Sequence, residues 1–180
     1  MSVNTEALSA MQRLCSMREC CRADILKRLK RFQLTAKEES EIIQTLEDEK
    51  FLDQRRFAGA FVRDKSTLSG WGPAKIRWQL RIKGVDEDVI NDALKSISPE
   101  NQDEKLVSLL SKKRATIKES SPEKVREKLI RFALSRGFEY EKVLNGFFAF
   151  ALFSIASSSI YILNDIYDIA SVTKIAATTM

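Results

Sequence analysis

Basic residues recur along the chain at the spacing of one helical turn. They fall into three sets, which are Lys27, Lys30 and Arg31, then Arg77 and Arg81, then Lys124 and Lys128. Residues three or four positions apart lie on the same face of a helix, so each set would place adjacent positive charges where they can contact phosphate groups. Exposed helices also carry such pairs as ordinary solvated surface, and the spacing alone leaves both interpretations open.

The residue types of common catalytic sites are missing from the body of the sequence. The 180 residues include no histidine, which excludes a Ser-His-Asp or Cys-His hydrolase and a histidine-bound metal ion. Residues 1–145 also contain no glycine-rich phosphate loop. We therefore expect a protein that is not an enzyme and that has no catalytic residue, metal site or cofactor.

The cysteines and the first residues of the chain bear on its compartment. Cys15, Cys20 and Cys21 form no Cys-x-x-Cys pair, and free thiols are typical of a reducing cytosol. The chain does not begin with a basic segment followed by an apolar run, which is the pattern of a secretory signal. We expect a cytoplasmic monomer.

Helices are the elements that would position the basic sets. Apolar residues recur at helical spacing through residues 5–145, and the pattern repeats with a period of about 50, with Ile25, Ile76 and Val125 as equivalent anchors. One short unit cannot bury its apolar stripe alone, so neighbouring units must stack. We predict an all-α fold of tandem three-helix repeats in an elongated curved array. The predicted divisions are a first repeat at 1–66, a second at 67–114, a partial third at 115–146 and an apolar, partly helical tail at 147–180.

Five short motifs in the middle of the chain occur in a distinctive order. Their residues are Leu52, Asp53, Arg56, Phe57 and Ala58, followed by Gly70, Gly72, Ile76, Leu80 and Gly84. This series resembles the RecX family of recombination regulators, and the resemblance covers about residues 8–145. Phe51, Gln54 and Gln79 depart from the family pattern, which puts a local salt bridge in doubt.

Most of these motif residues have a structural interpretation. Asp53 can cap the start of a helix, and Phe57 is expected in the core. Gly70 and Gly72 permit a tight turn before the next helix, and Gly84 suits the end of that helix. The motif therefore predicts the fold, whereas a binding surface would be spread over the basic sets.

The resemblance implies a function as well as a fold. RecX-like proteins modulate RecA: they engage the RecA filament on single-stranded DNA and generally inhibit its activities. We therefore expect a regulatory protein of DNA repair, recombination and the SOS response, with the RecA filament and single-stranded DNA as partners. The three basic sets are the predicted contacts with nucleic acid or filament.

The end of the chain has a different character. Residues 143–164 contain no charged side chain. This segment is long enough to span a bilayer, so the alternative function is a membrane-tethered helical adaptor. Residues 147–168, with Asn164, Asp165 and Asp168, resemble the first aspartate-rich motif of UbiA-type prenyltransferases. Residues 169–180, with Ser171 and Lys174, resemble the Ser-x-x-Lys helix of serine β-lactamases and penicillin-binding proteins. Neither fragment has the other elements that its family needs for catalysis.

Overall fold

The computed structural model describes residues 3–144, and the side chains of residues 5–98 and 102–144. No strand occurs within this range, so the predicted all-α fold is confirmed. Residues 140–144 are helical as well. The preceding residues form eight α-helices and one 3₁₀ turn, which are α1 (Val3–Met17), α2 (Arg22–Leu29), the 3₁₀ turn (Lys30–Phe32), α3 (Ala36–Asp48), α4 (Gln54–Thr67), α5 (Pro73–Ile82), α6 (Glu87–Leu94), α7 (Pro99–Ala115) and α8 (Pro122–Ser135).

Local signals explain where several helices begin. Thr35 and Glu38 form a capping box at the start of α3, in which each side chain bonds the other residue's backbone amide. The Asp53 carboxylate accepts a hydrogen bond from the Arg56 amide at 2.9 Å and so caps α4. Proline occupies the first turn of α5 and of α8, where a missing amide hydrogen costs nothing.

The first three helices share one apolar core. α3 packs against both α1 and α2, and the large apolar side chains that are fully buried come from α2 and α3. They are Ile25, Leu29, Ile42, Ile43 and Leu46, each with at most 1% of its surface exposed. We call α1–α3 the first group.

Helices α4, α5 and α6 pack against one another and form the second group. Its core joins Phe57 and Val62 of α4 to Ile76 and Leu80 of α5 and Ile90 of α6. Helices α7 and α8 form the third group, with Leu106 and Leu110 of α7 buried, as are Val125 and Leu129 of α8.

The three repeat anchors occupy equivalent places. Ile25, Ile76 and Val125 are buried on α2, α5 and α8, so each lies on the second helix of its group. The predicted borders at 66/67 and 114/115 lie one residue before the ends of α4 and α7. Helix α4 packs with α5 and α6, because the buried face of α4 lies against those helices.

Backbone hydrogen bonds join the second and third groups. The Gly72 amide donates to the Arg136 carbonyl at 2.7 Å, and the Ala74 amide donates to the Gly137 carbonyl at 3.2 Å. The first amides of a helix and its last carbonyls have no partner within the helix. Here the start of α5 and the end of α8 satisfy each other, and the positive end of one helix dipole faces the negative end of the other.

Only glycine fits at both positions of this junction. A Cβ atom at position 72 would lie 2.3 Å from the Gly137 carbonyl oxygen, and one at position 137 would lie 2.4 Å from the Lys75 amide nitrogen. Gly137 also has a φ of +84°, which L residues rarely adopt. The glycines therefore allow the two helix ends to approach closely.

Ion pairs connect the first group to the second. The Arg56 guanidinium donates to the Glu19 carboxylate at 2.6 Å and to the Lys50 carbonyl at 3.1 Å. The Lys83 ammonium lies 3.1 Å from Asp24. In this arrangement Arg56 holds neighbouring chain segments together.

The tail predicted at 147–180, its apolar helix and its two fragment resemblances lie outside the described residues. Residues 143 and 144 are the only part of the uncharged stretch at 143–164 that the structure describes. Within the described range, no helix is both long enough and apolar enough to cross a bilayer.

Replacement of Ile76 by Asp should unfold the second group. Ile76 is fully buried, and an unpaired charge there costs several kcal/mol, which is comparable with the whole stability of a domain of about 5–15 kcal/mol. Thermal unfolding followed by circular dichroism measures the effect. Ile82→Asp on the same helix is the control, because Ile82 is 58% exposed and its replacement should leave the melting temperature nearly unchanged. An Ile76→Asp protein that melted with the wild type would contradict the core assignment.

Gly72→Ala should weaken the junction between the second and third groups. The added methyl group would overlap the Gly137 carbonyl, so the free energy of unfolding should fall by about 1–3 kcal/mol. Gly59→Ala is a matched control, since a Cβ at position 59 would meet nothing within 4 Å. Urea denaturation of both variants makes the comparison. Equal stability of Gly72→Ala and the wild type would show that the helix ends are not held this closely.

Candidate nucleic-acid interface

The basic set on α5 is engaged within the protein. Arg81 binds the Glu87 carboxylate through two hydrogen bonds of 2.7 and 2.8 Å. Arg77 pairs with the same carboxylate and also donates to the Asn91 side chain at 2.6 Å. Glu87 opens α6, so these pairs hold α5 against the start of the next helix. Together the two arginines carry one net positive charge once Glu87 is counted.

Glu87 remains ionised far into the acid range. The hydrogen bonds from Arg81 are the main cause, and those from Arg77 add to them, so that the pKa of Glu87 falls from 4.5 to about 2 despite some desolvation. The same interaction raises the pKa of Arg81. A carboxyl group with a lowered folded-state pKa stabilises the fold above its unfolded pKa, and this contribution is lost as the pH falls from about 4.5 towards about 2.

The basic set of the first group is exposed. Lys27 lies on α2, whereas Lys30 and Arg31 lie in the 3₁₀ turn that follows it. All three side chains are exposed, and none forms an ion pair with a described residue. This set therefore offers three positive charges to a ligand.

The basic set on α8 is partly compensated. Lys128 lies 3.2 Å from Glu119, whereas Lys124 is exposed and has no ion pair with a described side chain. Lys128 also lines a groove between α7 and α8 with Lys113, Lys118 and Arg131. Arg131 pairs with Glu127 of its own helix, so this groove is less positive than its basic residues alone suggest.

The three predicted sets do not form one continuous site on a single element. Each lies on or directly after the second helix of its group, so the repeat places them at related positions of α2, α5 and α8. The structure thus separates exposed cations, above all Lys27, Lys30, Arg31 and Lys124, from Arg77 and Arg81, whose charge is shared with Glu87. All of these residues remain candidate contacts.

A second concentration of basic residues was missed from the sequence. A cleft of about 490 Å³ lies between one face of α4 and the segment that links α6 to α7, with Lys105 of α7 on its rim. Arg55, Arg56 and Arg63 line it from α4, and none of the described lining residues is acidic. Arg63 and Lys105 come from different groups, so no local spacing in the sequence brings them together.

Compensation differs among the cations of this cleft. Arg55 lies 3.0 Å from Asp92 and 3.7 Å from Asp88, and Arg56 pairs with Glu19. Neither Arg63 nor Lys105 forms an ion pair with a described side chain. The cleft therefore has two cations that are not neutralised by the described part of the protein.

Gly59 lies in the same cleft and has no structural reason to be glycine. It is in the interior of α4, where its φ is not positive and where a Cβ would meet nothing within 4 Å. Glycine at such a position costs about 0.5–1 kcal/mol relative to alanine. The fold would tolerate a side chain here and would gain stability from alanine.

Two tryptophans show different environments near these sites. The indole of Trp71 is flanked by the ammonium groups of Lys65 and Lys75, at 5.1 and 4.9 Å from a ring centroid, which is a cation–π arrangement. Trp78 on α5 is 57% exposed and stands one turn before Ile82, which is 58% exposed.

Among the described residues, no group of His, Cys, Asp or Glu has the arrangement of a metal site.

The described residues define a class of protein: an all-α fold of consecutive helical groups, the first two of three α-helices each, with cationic surfaces. Residues 53–94 match the family model of the second three-helix domain of RecX, and residues 100–144 match that of the third. Residues 53–94 and 100–144 are therefore similar to two consecutive domains of the RecX family. The second match begins close to α7 and the first coincides with α4–α6, in agreement with the packing of the second group.

Curated relatives and solved structures that resemble this chain are RecX proteins as well. Over 101 residues the chain is 40% identical to the regulatory protein RecX of Clostridium botulinum strain Eklund 17B. The matched segment covers 55% of this chain and 47% of that protein. It is 31% identical over 104 residues to that of Bacillus subtilis strain 168, covering 58% and 39%. The matched segments thus span about half the length of such relatives or less. The crystal structure of RecX from Lactobacillus salivarius superposes with a TM-score of 0.72 at 25% identity, over 83% of this chain and 97% of that one.

Glu87→Gln should increase affinity for single-stranded DNA if Arg77 and Arg81 contact phosphates. The variant removes the carboxylate that shares their charge, so the slope of log affinity against log salt should steepen by about 0.7 for each freed contact. It should also remove the part of the stability loss between about pH 4.5 and pH 2 that Glu87 causes. Fluorescence anisotropy with labelled oligo-dT measures binding, and Glu41→Gln, which removes an exposed helix pair with Lys37, is the control. Unchanged affinity and slope would assign Arg77 and Arg81 a structural role only.

Proposed function

We propose that the chain is a regulatory protein that modulates RecA by binding the RecA filament on single-stranded DNA, and that the outcome is inhibition. The observation that carries this proposal is the pair of RecX three-helix domains, second and third in order, over residues 53–144. The relatives named above are regulatory proteins, and the role of regulator extends to this chain through those domains.

The electrostatics of the surface support this proposal. A filament on DNA carries phosphates in a regular line, and each phosphate contact made by Lys or Arg releases counterions. The exposed set of Lys27, Lys30 and Arg31 and the exposed Lys124 are available for such contacts. Tandem helical groups repeat a surface at intervals, which suits a partner that is itself a repeating assembly.

In this proposal the protein acts by binding its partner and catalyses no reaction. The three thiols of the described residues are buried, and burial raises the pKa of Cys15 to about 12, with the neighbouring Cys20 adding to the effect. Burial likewise raises the pKa of Cys21. Such thiols are protonated and inert at neutral pH. We further propose that the protein acts as a monomer in the cytoplasm, where its three free cysteines stay reduced.

RecA-driven ATP hydrolysis on single-stranded DNA tests the proposal directly. Titration of the purified chain should lower the rate of hydrolysis, and binding to preformed filaments should weaken with rising salt. The triple variant Lys27→Gln, Lys30→Gln, Arg31→Gln should inhibit less well, and its salt slope should fall by about 2. Lys37→Gln serves as the matched control, because Lys37 is 87% exposed on the neighbouring α3. No inhibition at any ratio of chain to RecA would refute the proposal.

A further inference from the structure

We propose that the cleft between α4 and the α6–α7 link is a binding site for the sugar–phosphate backbone of single-stranded nucleic acid. The phosphate would lie over Gly59, between Arg63 and Lys105. This inference deepens the proposed function and rests on it for the biological setting, but the site itself is argued from the cleft alone.

Charge is the first argument. Of the four basic residues in the cleft, Arg55 and Arg56 are neutralised by carboxylates outside it. Arg63 and Lys105 have no ion pair with a described side chain, and the described lining contains no acidic residue. Two uncompensated cations facing one concave space attract an anion that can receive hydrogen bonds from both.

The shape of the cleft floor is the second argument. Arg56, Gly59 and Arg63 follow one another at intervals of three and four residues, so they lie along one face of α4. Gly59 and the adjacent Ala60 are small, so no bulky side chain covers the helix between the two arginines. Neither packing nor backbone conformation requires glycine at position 59. A ligand that passes close to the helix does require it, because any side chain would occupy that space.

The chemistry of the lining favours a phosphate backbone over an acidic protein segment. Thr67 also lines the cleft, and protein contacts to nucleic-acid backbones commonly combine Arg, Lys and hydroxyl donors. The described lining contains no aromatic residue and therefore offers no platform on which a base would stack. The cleft is thus suited to the backbone and not to base recognition.

Substitutions at Gly59 separate this site from the stability of the fold. Gly59→Ala should raise the melting temperature, by about 2–4 °C for a chain of this size, and should lower affinity for labelled oligo-dT in the absence of RecA. Gly59→Leu should also fold, because the position is open, and should lower the affinity further, by roughly tenfold. If Gly59→Leu binds oligo-dT as tightly as the wild type, the proposal is wrong.

Charge variants give an independent measurement. Arg63→Gln combined with Lys105→Gln should reduce the salt slope of oligo-dT binding by about 1.4, which corresponds to two lost phosphate contacts. Lys37→Gln should leave the slope unchanged. A parallel titration with polyglutamate distinguishes the alternative partner. If the double variant loses polyglutamate binding but keeps oligo-dT binding, the cleft receives an acidic protein segment and the nucleic-acid site is refuted.

The two proposals fail in different ways. Loss of oligo-dT binding by the cleft variants supports the site whether or not the wild-type chain inhibits RecA. Inhibition of RecA by a wild-type chain whose cleft variants bind oligo-dT normally supports the proposed function and overturns the cleft site alone.

Discussion

The contact between the start of α5 and the end of α8 constrains the relation of the second group to the third. Two amides of α5 bond to two carbonyls at the end of α8, and glycine at positions 72 and 137 permits the approach. Lys75 reinforces it, since its ammonium donates to the Ser135 carbonyl at 3.0 Å. Because α5 carries Arg77 and Arg81 and α8 carries Lys124 and Lys128, this junction relates two of the basic surfaces to each other. Backbone contacts allow less variation than side-chain contacts, so the relation is a defined one.

Internal ion pairs determine which of the many cations remain available. A carboxylate from the following helix engages Arg77 and Arg81, and Glu19 engages Arg56. These pairs are exposed or half-exposed, so each contributes little to stability, but they redistribute positive charge over the surface. Uncompensated positive charge remains, among other places, at the first basic set, at Lys124 and in the cleft of α4. Net charge alone would not have located it.

Much of the fold was predictable because its signals are local. The anchors Ile25, Ile76 and Val125 follow from helical periodicity, and the Asp53 cap follows from a short side chain before a helix. The partner of Arg77 and Arg81 was not predictable, because Glu87 is brought to them by the turn at Gly84, where φ is +74°. Arg63 and Lys105 line one cleft from two separate helices, which no local spacing could indicate. Gly59 could not be recognised from the sequence, since its distinguishing feature is that a Cβ there would meet nothing within 4 Å. The grouping of α4 with α5 and α6 likewise depended on tertiary contacts.

Hydrogen exchange of the chain bound to RecA filaments on single-stranded DNA tests the central claim most directly, which is that repeated cationic faces of the helical groups contact the filament. We predict slower exchange on binding in the segment that carries Lys27, Lys30 and Arg31 and in α4 beside the cleft. Exchange in α3, whose residues Ile42, Ile43 and Leu46 lie in the core, should change little. Filament binding that left both cationic segments unprotected, or protected only segments outside them, would contradict the account.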